Sequence, residues 1–161
     1  MVTAGVIREL FEAVVDSYRE DIRFFSRWSE ALDTVANEHN PKVLWRPPTV
    51  DIIQEANGTL TQSFTIAAAF LDQTAMDRTT TERDLTYERM QVVAAHIWAQ
   101  FHNLYIKEEA TYQGVYVSLM QASNATFTAI WDAPAEMTTG CALTVTVSSP
   151  YQFCAEDYFN A

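Results

Sequence analysis

The stretch VDIIQEANGTLTQSFTIAAAFLD, from Val50 to Asp72, constrains the fold more than any other part of this chain. Two strand-like runs flank Asn57-Gly58. Both residues tolerate positive φ, as a two-residue type I′ turn demands, so the reading is a β-hairpin with Asn57 and Gly58 at its tip. In the second arm Phe64, Ile66, Ala68 and Phe70 share one face, and Thr65, Ala67, Ala69 and Leu71 the other. The small residues on that second face predict a close neighbour. Upstream, KVLWRPPTVDII reads as extended chain, with Pro47 and Pro48 confining it to an edge or a bend.

Helices are expected on either side of the hairpin. Ile7, Leu10, Phe11, Val14, Val15, Tyr18, Ile22 and Phe25 recur at helical spacing, predicting a helix from Gly5 to about Phe25. Trp28, Leu32 and Val35 extend the pattern until Asn40-Pro41 ends it. A second stripe, Leu85, Met90, Val93, Ala94, Ile97, Trp98, Phe101, Leu104 and Tyr105, predicts a long helix. TERD at its start resembles a capping box, with Thr81 as the cap and Glu82 and Asp84 at the positive helix end. GVYVSLM, ATFTAIWD and CALTVTVSS then read as three strands. In the last, Cys141, Leu143, Val145 and Val147 point inward and Thr144, Thr146 and Ser148 outward.

The resulting order, α-β-β-α-β-β-β, predicts an α+β fold with two main helices on a mostly antiparallel sheet. At 161 residues one domain is expected, 1–161, with 150–161 as an aromatic C-terminal tail. Apolar runs fall short of the ~18 residues that span a bilayer, so no membrane is expected. The N-terminal MVTAGVIRELFEAVVDSYRE reads as neither a signal nor a transit peptide, and synthesis in the cytoplasm is expected. Cys141 and Cys154 are too few for a disulfide framework and too far apart for CxxC; they read as buried thiols.

Ten basic residues against twenty-one acidic ones give a net charge of −11. Gripping nucleic acid through phosphates needs Lys and Arg, so that class is disfavoured. A conduit that repels a passing phosphate backbone is compatible with the same charge.

Reaction chemistry finds little footing. His96 and His102 are six residues apart, about 120° around a helix, and do not converge on a metal; His39 stands beside Glu38. Asp72, Asp77, Glu82 and Asp84, interleaved with Arg78, Arg83 and threonines, read as a hydrated connection. Acid-base work would need one carboxylate desolvated and another kept ionised. Glu108-Glu109 reads as a surface helix end. Motifs for a nucleophile elbow, a P-loop or a dinucleotide fold are missing from the sequence. The expectation is no enzyme, no catalytic or metal-binding residue and no cofactor. Aromatics are in surplus instead: Trp28, Trp45, Trp98 and Trp131, with Tyr151, Phe153, Tyr158 and Phe159 in the tail. Tails that keep aromatics dock somewhere, on their own sheet or on a neighbouring subunit.

Three stretches together resemble the tail-terminator (tail completion) and neck proteins of tailed bacteriophages. They are NEHNPKVLWRPPT after the first helix, FTIAAAFLDQTAMDRTTTERDLTYERMQVVAAHIWAQFHNLY, and the closing GCALTVTVSSPYQFC. The cysteine-aromatic tail departs from the family pattern. The resemblance implies a small α+β subunit of a homo-oligomeric, commonly hexameric, ring in the virion, made in the host bacterial cytoplasm. Such a ring caps the tail tube and joins it to the head connector, and DNA passes through without specific binding. Interface candidates under this reading are Asn57, Gly58, Asp77, Arg78, Tyr151, Phe153, Tyr158 and Phe159. A head-completion adaptor in a twelve-fold ring is the nearest alternative. An α+β enzyme or ligand-binding domain, with a pocket between the long helix and the sheet using His96, Tyr87 or the acidic loop, is the alternative of another class; a host interaction module is a third.

Overall fold

The hairpin is present, longer than its turn sequence alone required. In the computed structural model of the protein, which describes residues 1–26, 41–73, 80–133 and 138–151, β2 (Lys42–Gln54) pairs antiparallel with β3 (Leu60–Gln73). The tip differs from the expected type I′ turn. Gly58 donates its N–H to the Glu55 carbonyl at 2.9 Å and takes φ +85°, while Asn57 keeps a negative φ. This is a four-residue turn, Glu55 to Gly58, whose last residue is the left-handed glycine, the three-residue loop class. Asn57 serves through its side chain, whose Oδ1 accepts from the Thr59 N–H at 3.0 Å and the Thr59 hydroxyl at 2.7 Å. Two consecutive positive φ values occur instead at Gln113 (47°) and Gly114 (79°), closing the short hairpin of β4 (Ala110–Tyr112) and β5 (Val115–Val117).

Pro47 and Pro48 sit at a bulge. Between Arg46↔Ala67 and Thr49↔Thr65 the register shifts, so β2 holds one residue more than β3. A strand alternates faces with period two, so the extra residue exchanges them. Val43 and Trp45 face the core before the bulge; Val50 and Ile52 take that face after it, opposite Phe64 and Gln62.

The first helix is shorter than expected. α1 (Ala4–Asp16) is capped by Thr3, whose Oγ1 accepts from Val6 N–H, and ends at Ser17 rather than near Phe25. The Ser17 hydroxyl donates to Val14 O at 2.8 Å, and its N–H to Ala13 O. Beyond it, β1 (Arg23–Phe25) pairs parallel with Lys42–Leu44 of β2, so strand pairing overrides the helical spacing of Ile22 and Phe25. Trp28, Leu32 and Val35 lie outside the described residues.

α2 (Thr80–Tyr105) is the long helix. It has already begun at Thr80, so Thr81 is inside the first turn and not its cap. Met90, Val93, Ala94, Ile97, Trp98 and Phe101 are buried as expected, whereas Leu85 (60 %) and Leu104 (40 %) are exposed, because the sheet-facing arc does not reach them. GVYVSLM is not one strand: β5 belongs to the small hairpin, and β6 (Met120–Gln121) joins the main sheet. β7 (Thr126–Ala133) and β8 (Thr138–Pro150) complete it.

The class is α+β: among the described residues, two helices and a mostly antiparallel six-stranded sheet, ordered β1-β2-β3-β8-β6 with β7 also on β8. Main elements follow the expected order, with short strands added. In β8 the inward set Cys141, Leu143, Val145 and Val147 is buried; Ser148, expected outward, is buried too, flanked by β3 and β6. Phe11 joins the layers, its ring 5.1 Å from Trp45, 5.6 Å from Phe101 and 6.4 Å from Phe70. On the opposite face Ala69 and Leu71 pack with Phe25, Leu44 and half-buried Ile130, all strand neighbours within the same sheet. Ala67, Ala69 and Ala142 line a depression there rather than meeting the close neighbour expected of them.

Candidate assembly surface

The core face of the sheet continues past the end of its helical cover. Gln62 marks the border: it is buried, and its amide donates to the Val2 carbonyl at 3.1 Å, tying the start of α1 to β3. Outward from there Val50 (44 %), Ile52 (55 %) and Leu60 (41 %) stand in solvent. Ile53, on the reverse face, is 47 % exposed. An arm apolar on both faces is unusual, because surface strands ordinarily present polar side chains to water. Among the described residues, β2 from Thr49 to Gln54 pairs only with β3, so its other edge offers free backbone donors and acceptors.

Several expected interface residues meet here. Asn57 and Gly58 form the tip, and Tyr151 donates its N–H to Leu60 O at 3.0 Å, which places the start of the tail at the arm. Met1 and Tyr116, both 53 % exposed, add apolar surface at the border of a cleft that also includes Glu109. That carboxylate raises the Tyr116 phenol above its ordinary range, chiefly by hydrogen bonding. Asp77, Arg78, Phe153, Tyr158 and Phe159 lie outside the described residues, as do His39 and Cys154 and the side chain of Trp131.

The acidic stretch resolves at its two described ends. Asp72 and Glu20 both receive Arg89 of α2, the latter at 2.9 Å, so Asp72 helps fasten the helix to the sheet. The hydrogen bond that Arg89 donates to Glu20 is the largest influence raising the pKa of its guanidinium, and Asp72 adds to it.

Among the described residues Phe11, Trp45, Phe70 and Phe101 pack buried in the helix–sheet interface, where the ligand-binding alternative places its pocket. A groove does exist elsewhere, between the last turn of α1 and α2, about 440 Å³ in volume. Val14 and Ile97 contribute its apolar part, and Tyr18, Arg19, His96, Gln100 and Asn103 its polar part. Tyr18 Oη and His96 Nδ1 lie 3.1 Å apart, a hydrogen bond. The sequence reading does not pair these two, since Tyr18 falls in a helical stripe and His96 is weighed as a metal ligand or as a polar group of a helix–sheet pocket. His102 instead meets the edge of Trp98. Among the described residues no three His, Cys, Asp or Glu side chains converge as a metal site, and no helix is long and apolar enough to cross a membrane.

The fold and this surface define an α+β two-layer protein with a projecting apolar hairpin arm. No protein-family model and no curated protein matches the sequence.

Proposed function

We propose that this chain is a structural subunit of a tailed-phage neck, a tail terminator that assembles with copies of itself into a ring at the end of the tail tube. The arm carries the reading. Val50, Ile52, Ile53 and Leu60 expose apolar surface on both faces of a hairpin whose outer edge is open among the described residues. Water disfavours that surface, and a neighbouring subunit relieves it. A ring needs one patch to meet a different patch on the next copy, which a projecting arm supplies. The net charge of −11 per chain, multiplied around a ring, suits a channel that passes DNA without holding it. The resemblance of the three sequence stretches supports a place in the virion, and no catalytic residue or cofactor enters this reading.

Light scattering on the purified chain is the first test. The wild type is expected as a multimer and Ile52→Asp/Ile53→Asp as a monomer that keeps its fold by circular dichroism, because neither side chain is in the core. Electron microscopy of the native particle then places the subunit and counts its copies, which separates a terminator from a twelve-fold head-completion adaptor. Absence of density for this chain at the head–tail junction sinks the proposal.

A further inference from the structure

We propose that the groove between α1 and α2 receives the tip of the β2–β3 arm from a second copy, with Glu55 of the tip approaching Arg19 of the groove. This deepens the assembly reading above and rests on it. Charge supplies the first argument. The chain has twenty-one acidic residues, yet among the described residues none lines this groove, whose full cation there is Arg19. Arg19 is exposed and makes no ion pair among the described residues. The arm is the reverse: from Thr49 to Thr65 it carries Asp51 and Glu55 and no cation. Shape supplies the second. Glu55, Ala56, Asn57 and Gly58 form a narrow, exposed turn of mostly small side chains. Ala99 and the ring of Tyr18 give Ala56 an apolar seat, and the carboxamides of Gln100 and Asn103 suit the peptide groups of a turn.

Geometry makes the contact intermolecular. The start of α1 touches the arm's base through Val2 and Gln62, while the groove lies at the other end of the helix, at Ser17, Tyr18 and Arg19. Thirteen helical residues separate the two ends by about 20 Å. The hairpin projects further the other way, so it cannot fold back into its own groove. Tip and groove are different patches at opposite ends, as head-to-tail association requires.

Charge exchange tests the contact. Glu55→Arg and Arg19→Glu each are expected to weaken self-association about tenfold or more, and the two together to restore it. Sedimentation velocity reads the assembly, and circular dichroism checks that each variant folds. Independently, Asn57→Cys mixed with Gln100→Cys is expected to give a disulfide-linked dimer under mild oxidation, beyond the background of either variant alone. Single reversals that assemble like the wild type, a double variant that stays dissociated, or no cross-link would each overturn the proposal. A groove that takes up inorganic phosphate but yields no cross-link is an anion site, and also overturns it. If Ile52→Asp/Ile53→Asp still disperses the wild-type assembly in any of those cases, only the tip–groove contact falls; a wild-type chain that never associates removes both readings.

Discussion

At Gly140 the smallest side chain is a packing requirement. The residue sits in β8 between Leu71 of β3 and Ile130 of β7, and a Cβ there would collide with the Phe70 carbonyl oxygen and lie 2.9 Å from Leu71 Cα. Backbone cannot step aside as a flexible side-chain end can. Gly140→Ala should therefore destabilise the fold by more than about 3 kcal/mol, seen as a lower urea midpoint. Its neighbour Cys141 is fully buried, and burial pushes its thiol from 9.0 up to about 11. The folded state thus keeps a proton that the unfolded chain gives up. Stability from this group is complete below pH 9 and falls as pH rises toward 11. A Cys141→Ala variant should flatten that part of the stability–pH curve, and the wild-type thiol should resist alkylation at pH 8 until denaturant is added.

Elements were legible where a pattern had one explanation. The alternation of Cys141, Leu143, Val145 and Val147, and of Phe64, Ile66, Ala68 and Phe70, admits only a half-buried strand, and all eight are buried. Residues 18–25 admitted two. Tyr18, Ile22 and Phe25 fit a helix by spacing, but three residues of parallel pairing with β2 decide Arg23–Phe25, and that partner lies distant in sequence. Tip chemistry was half legible: the turn was placed correctly, yet its class depends on which residue takes positive φ. The assembly surface showed only its tip, because exposure of Val50 and Ile52 follows from a face exchange at Pro47-Pro48 that periodicity alone does not display. The Tyr18–His96 pair joins residues 78 apart and left no local signal. At this scale Arg89 can be tested. It ties α2 to Asp72 of β3 and to Glu20 after α1, but its side chain is 47 % exposed. Solvent screening holds the cost of Arg89→Ala to about 1 kcal/mol or less, shrinking as salt is added to thermal melts.

For the molecule as a whole, the imbalance of charge acts against compactness. A net −11 on one small domain repels itself, and screening relieves the repulsion. Raising ionic strength from about 0.01 M to about 0.15 M shortens the screening length from about 30 Å to about 8 Å, so the melting temperature of the monomeric Ile52→Asp/Ile53→Asp variant should rise over that interval. A flat response would place the acids where they do not oppose folding. The same molecule carries a brake on its own stickiness. Pro47 and Pro48 lack amide hydrogens at the bulge, which leaves a gap in the donors of β2, and β1 already occupies the rim from Lys42 to Leu44. A foreign strand that zips onto Thr49–Gln54 therefore meets the proline gap and then β1, and cannot be extended toward Lys42. Contact between chains is kept to a short, measured grip, and runaway stacking into fibres is denied its template.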